Sequence, residues 1–245
     1  MRKHKKLWAA LLIVLGVIAL GAGGVMLYVS DYYPADETAL AALATTEVVS
    51  VRQTEDGLVF LPTEPAAGFI FYPGGLVDHT AYAPLMHALA ERDVLCVLTD
   101  MPLRLAVMDM NAADGVAEKY PEVSRWCIGG HSLGGAMAAS YAAAHAEELD
   151  GLALLAAYST QALPEDMPVV SVYGTADQVL DWGKYEASRA NLPDGTQEIA
   201  IPGGNHAQFG SYGPQKGDGE ATITAQAQWA ATAEALLPLL LGTEE

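Results

Sequence analysis

The chain has 245 residues, 51% of them apolar and 17% charged, which gives one domain room for a full hydrophobic core and excludes a wholly disordered polymer. Twelve Lys and Arg against 30 Asp and Glu give a net charge of −18, and four of the twelve, Arg2, Lys3, Lys5 and Lys6, stand in the first six residues. The 8 basic and 30 acidic residues downstream leave −22, a field that repels phosphate backbones, excludes nucleic acid as a partner and favours neutral or cationic small molecules.

Residues 7–29 read LWAALLIVLGVIALGAGGVMLYV and hold no charge. As a helix they would run roughly 34 Å, enough for a bilayer core of roughly 30 Å. The basic residues 1–6 before them, and Asp31, Asp36 and Glu37 after, put the N-terminus in the cytoplasm and the body outside. The stretch is longer than a signal-peptide core, so the expectation is one uncleaved transmembrane anchor. Cleavage near Ala19, Gly21 or Gly23 would instead give a secreted protein. Residues 30–46 read as a tether or short helix, and the folded body is expected over 47–245.

In chain order, Glu47–Leu61 carries a hairpin signal around Glu55-Asp56-Gly57. Gly68–Tyr72 is a short apolar run ending at Pro73-Gly74-Gly75, and Tyr82–Arg92 has helical spacing. Val94–Thr99 is another apolar run. Asn111–Tyr120 reads as a helix between an N-cap and the stop at Pro121. Arg125–Gly129 is a strand, and Ala136–Glu148 is Ala-rich and helix-favouring. Gly151–Leu155, Pro168–Tyr173 and Thr196–Ile201 are further strands, and Thr222–Leu241 is a closing helix broken or ended near Pro238. Strands alternating with helices imply an α/β fold, with a mostly parallel sheet covered by helices on both faces.

Between the strand Arg125–Gly129 and the Ala-rich helix stands Gly130-His131-Ser132-Leu133-Gly134, the pattern G-x-S-x-G. A serine on a sharp strand-to-helix turn needs small residues two before and two after it, and its hydroxyl then rises above the carboxyl edge of the sheet. The competing reading is a glycine-rich turn in which Ser132 caps the helix. Asp177 follows the strand Pro168–Tyr173, where an acid would hold and charge-stabilise a histidine; Asp181 is the alternative, and an Asx-turn the plainer role. His206 follows the strand Thr196–Ile201 within Gly203-Gly204-Asn205-His206. Of the six histidines it alone lies in a late post-strand loop, although a surface loop histidine would look the same. The amides expected to hold an oxyanion are those of Leu133 and of Gly75, with Leu76 as the alternative.

These segments resemble the α/β-hydrolase superfamily, most nearly its small capless branch related to dienelactone hydrolases, over roughly Glu47 to Leu241. The resemblance rests on YPGG at Tyr72–Gly75, GGHSLGG at Gly129–Gly135, YGTAD at Tyr173–Asp177 and GGNHAQFG at Gly203–Gly210. It implies an α/β-hydrolase fold, a triad of Ser132, Asp177 and His206, an ester-type small-molecule substrate and no cofactor or metal. The nucleophile here is Ser132 where dienelactone hydrolases have a cysteine, so their particular substrate does not transfer. Only Ala156–Met167 separates two strands where relatives insert a cap, so an open site is expected. The superfamily strand order also places Gly68–Tyr72 between the strands of Cys96 and Cys127. Two strand spacings separate these residues by roughly 9.6 Å, too far for a disulfide, so both are expected as free thiols. An acyltransferase on the same triad and a non-catalytic, membrane-tethered binding module are the alternatives to a serine esterase.

Overall fold

The structure is a computed structural model that describes the backbone of residues 2–242 and the side chains of residues 14–242. It divides into two compact units, Met1–Tyr32 and Tyr33–Glu245.

The first unit is helix α1 (Arg2–Ser30). The apolar stretch 7–29 lies within it, and its first part, the side chains of 7–13, lies outside the described residues. Described apolar residues such as Leu20 and Leu27 are exposed. Among the described residues no helix is long and apolar enough to cross a membrane, so the expected transmembrane helix is not supported by the structure.

The second unit opens inside the segment read as a tether. Asp36 caps the short helix α2 (Glu37–Ala41) by accepting from the Ala39 amide, and Ala39 is fully buried. The expected hairpin follows as β1 (Val49–Thr54) and β2 (Gly57–Pro62). Five further strands are β3 (Ala67–Tyr72), β4 (Val94–Leu98), β5 (Trp126–His131), β6 (Gly151–Leu155) and β7 (Val169–Gly174), and β8 (Gln197–Ile201) ends the sheet. Their order is β1-β2-β4-β3-β5-β6-β7-β8. The pairs from β4 to β8 are parallel, and β1 and β2 join antiparallel. Phe69 of β3 stands opposite both Cys96 and Cys127, so one strand separates two free, buried cysteines. Burial raises both thiols, that of Cys127 to about 12.

Strand residues alternate between two cores, as a period of two requires. Phe69, Phe71, Cys96, Leu98, Ala153 and Leu155 face helices α3 (Ala83–Ala90) and α6 (Ala225–Leu241). Ile70, Tyr72, Leu95, Val97, Ile128 and Leu152 face helix α4 (Leu133–Ala144) and the loop after β4. Sequence signals set several ends: Pro84 opens α3, and Thr224 caps α6 by accepting from Ala227 N.

Two further expectations fail. Asn111–Tyr120 is not an α-helix but a run of turns with a single 3₁₀ turn at Ala117–Lys119. Gly115 sits at φ +69°, and Tyr72 Oη takes the Ala113 amide while donating to Met110 O, so the segment is held by the sheet rather than by its own ladder. Pro238 does not end α6. Leu239 and Leu240 are buried beyond it, and the Arg125 guanidinium donates to both of their carbonyls, satisfying the helix end until Gly242 turns left-handed at φ +67°.

Candidate active site

Because β3, β5, β7 and β8 are parallel, their carboxyl ends share one edge, and the strand order reverses between β3 and β5, where ligands of such sheets gather. The loops that leave this edge hold Gly75, Ser132, Asp177 and His206.

Ser132 joins β5 to α4 at φ 52°, ψ −121°, a conformation that costs a non-glycine residue about 1–3 kcal/mol. Its side chain makes no cap hydrogen bond, which removes the helix-cap reading. A Cβ on Gly134 would collide with the carbonyl oxygens of Tyr72 and Pro73, and one on Gly130 would stand 2.6 Å from Tyr72 O. The two glycines of the pattern thus let the turn press against β3.

His206 and Asp177 are buried, and His206 Nδ1 lies 2.8 Å from Asp177 Oδ2. The other oxygen, Oδ1, accepts from Val179 N and Leu180 N, both at 2.8 Å. Asp181 takes a different post: it caps α5 (Trp182–Ser188), a helix the sequence reading did not foresee, and pairs with Lys184 at 3.2 Å. The Lys184 amide and ammonium hold its carboxyl below the usual range. The loop of His206 is fixed by Gln228 of α6, whose amide exchanges two hydrogen bonds with the Asn205 backbone. His206 Nε2 is buried and has no hydrogen-bond partner among the described residues. Ser132, Leu133, Ala157, Tyr158, Leu180 and His206 line one cleft of about 240 Å³. A larger cavity of about 480 Å³ borders the loop after His206 and touches neither Ser132 nor Asp177.

Around Gly75 the three neighbouring amides differ. Gly74 N donates to Tyr82 Oη at 3.0 Å, and Leu76 N donates to Arg104 O at 2.9 Å. The Gly75 amide makes no hydrogen bond among the described residues, and its Cα faces the Leu133 side chain. Two contributors lay beyond the sequence reading. Tyr82 bonds His131 Nδ1 at 2.8 Å, and the His131 ring packs against that of His206, centroids 4.4 Å apart and planes tilted by 50°. Asp218 accepts from the backbone beside both Asp177 and His206. No motif marks either residue, since both act through bonds between distant parts of the chain.

The sequence model described as the Alpha/beta hydrolase family matches residues 68–230. The chain belongs to the α/β hydrolase family. No curated protein matches it by sequence. Among solved structures it is similar to a thermostable esterase from Pseudomonas putida, at 18% identity and a TM-score of 0.58 over 85% of this chain and 88% of that one. A dienelactone hydrolase from Anabaena variabilis shares 15% identity at a TM-score of 0.54, over 79% and 97% of the two chains. Est1E from Butyrivibrio proteoclasticus shares 16% at 0.55, over 79% and 99%. At these identities the likeness is one of fold. β6 passes to β7 through residues 156–168.

Proposed function

We propose that this α/β hydrolase is a serine esterase acting on ester-type acyl substrates through Ser132, His206 and Asp177. The observation that carries the reading is the 2.8 Å bond between His206 and Asp177, two buried residues 29 apart in sequence, with His206 and Ser132 lining one cleft. In this reading Nδ1–H donates a hydrogen bond to Asp177, which leaves Nε2 as the base. Ser132 Oγ attacks the acyl carbonyl and gives its proton to Nε2. The Leu133 and Gly75 amides stabilise the oxyanion. His206 returns the proton to the leaving alcohol, and water, activated the same way, releases the acid. The acidic surface favours neutral or cationic esters.

The same proposal moors the enzyme to a membrane through residues 7–29, with the catalytic unit outside the cytoplasm. Its support is the uncharged stretch and the basic cluster before it. Carbonate extraction followed by protease treatment of intact cells tests this part. The chemistry is tested by a fluorophosphonate probe and p-nitrophenyl acetate: wild type should be labelled and active, Ser132→Ala neither. Hydrolysis by Ser132→Ala at the wild-type rate would refute it.

A further inference from the structure

Resting on the esterase reading, we propose that Asp218 is a positioning residue that holds His206 and Asp177 in register. Its Oδ1 accepts from Gln178 N at 3.3 Å, His206 N at 3.3 Å and Gly219 N at 2.8 Å, and its Oδ2 accepts from Ala207 N at 2.8 Å. Gln178 follows Asp177 after β7, and His206 and Ala207 follow β8. One carboxylate therefore spans the two loops whose side chains must meet. A carboxylate offers about four acceptor sites and no donor, and here four backbone N–H groups converge on it, three on Oδ1 and one on Oδ2.

The chemistry predicts a graded response to substitution. In Asp218→Asn the amide oxygen can serve the three donors on the Oδ1 side, while its NH₂ confronts the Ala207 N–H. Asp218→Ala leaves all four donors without the carboxylate, and the loops lose their common anchor. Small displacements of reacting groups are costly in rate: a shift of about 1 Å can remove roughly 10²-fold.

The test compares Asp218→Asn and Asp218→Ala with Asp36→Asn in the full chain. Asp36 holds the chain beyond His206 from elsewhere, accepting from Ser211 Oγ at 2.7 Å, and its side chain bonds to none of Gln178, His206 and Ala207. Two readouts are taken well below the melting temperature: kcat and KM on p-nitrophenyl acetate, and the downfield proton NMR resonance of His206 Nδ1–H. Asp218→Asn should lower kcat roughly tenfold and Asp218→Ala roughly 10²-fold, with KM little changed and the resonance shifted or broadened. Asp36→Asn should lower Tm yet keep both the resonance and kcat. The proposal is overturned if Asp218→Ala keeps the resonance and rate, or if all three variants lose rate only in proportion to Tm. It is also overturned if neither Asp218 variant folds, since Asp218 would then be a scaffold residue. The resonance reports on the His206–Asp177 pair without substrate. A wild type that resists the probe would therefore sink the esterase reading and leave this result interpretable.

Discussion

Tyr82 Oη lies 2.8 Å from His131 Nδ1, and the same oxygen receives the Gly74 N–H at 3.0 Å. The amide can only donate, so Tyr82 accepts from Gly74, and the same hydroxyl shares a hydrogen bond with His131 Nδ1. Burial raises the phenol and pushes the imidazole well below its ordinary range, so both stay neutral. This chain ties the turn before Ser132 to the loop that presents Gly75. Tyr82→Phe strands two buried polar groups, Gly74 N and His131 Nδ1, a loss of about 1–3 kcal/mol, and should lower kcat by loosening the Gly75 amide. Urea unfolding and esterase kinetics check it; an unchanged unfolding midpoint would contradict the network.

His131 also predicts a pH dependence of stability. Its folded-state pKa lies well below 6.5, chiefly through burial and secondarily through the neighbouring His206. The unfolded chain binds a proton below about pH 6.5 that the folded chain refuses, so stability falls as pH drops through that value and is level above it. The slope from this residue approaches about 1.4 kcal/mol per pH unit. His131→Asn should be less stable at pH 7.5 and should show a shallower loss between about pH 6.5 and 5. Parallel stability curves for the two proteins would rule the explanation out.

The two candidate acids separate by mutation. Asp177 meets His206 and two backbone amides, whereas Asp181 is spent on α5 and Lys184. Asp177→Asn presents an amide to Nδ1 and favours the wrong tautomer, so kcat should fall on the order of 10⁴-fold. Asp181→Asn keeps a capping oxygen and should retain most activity. A steady-state assay of both variants decides, and a larger loss at Asp181 would exchange their roles.

Where a signal was local, the sequence displayed it. The short apolar strand runs, the glycines around Ser132 and the post-strand positions of Asp177 and His206 are all properties of short segments. The tool of residue spacing failed where a distant group decides. Asn111–Tyr120 has an N-cap residue and a proline stop, yet Tyr72, about 40 residues earlier, captures its Ala113 amide. Pro238 is a helix breaker by local rules, and Arg125 sustains the helix past it from over 100 residues away. Tyr82 and Asp218 stayed hidden for the same reason: their partners His131 and Gln178 lie 49 and 40 residues away.

Ser132 offers a test of what the turn costs the fold. At φ 52°, ψ −121° its backbone sits where glycine is at ease and other residues are strained by about 1–3 kcal/mol. Ser132→Gly releases that strain, while the freer unfolded chain takes back about 0.4–1 kcal/mol. The net expectation is a gain of about 1 kcal/mol, a rise of about 2–4 °C in Tm for a unit of this size, together with complete loss of probe labelling. Ser132→Ala also loses the hydroxyl but keeps the Cβ in the strained turn, so it should melt close to wild type. The difference between the two variants isolates the backbone contribution from any effect of the hydroxyl itself. Should the glycine variant melt below the alanine one, the turn is not strained, and the geometry that lifts Ser132 from the sheet would have to be maintained at no cost to stability.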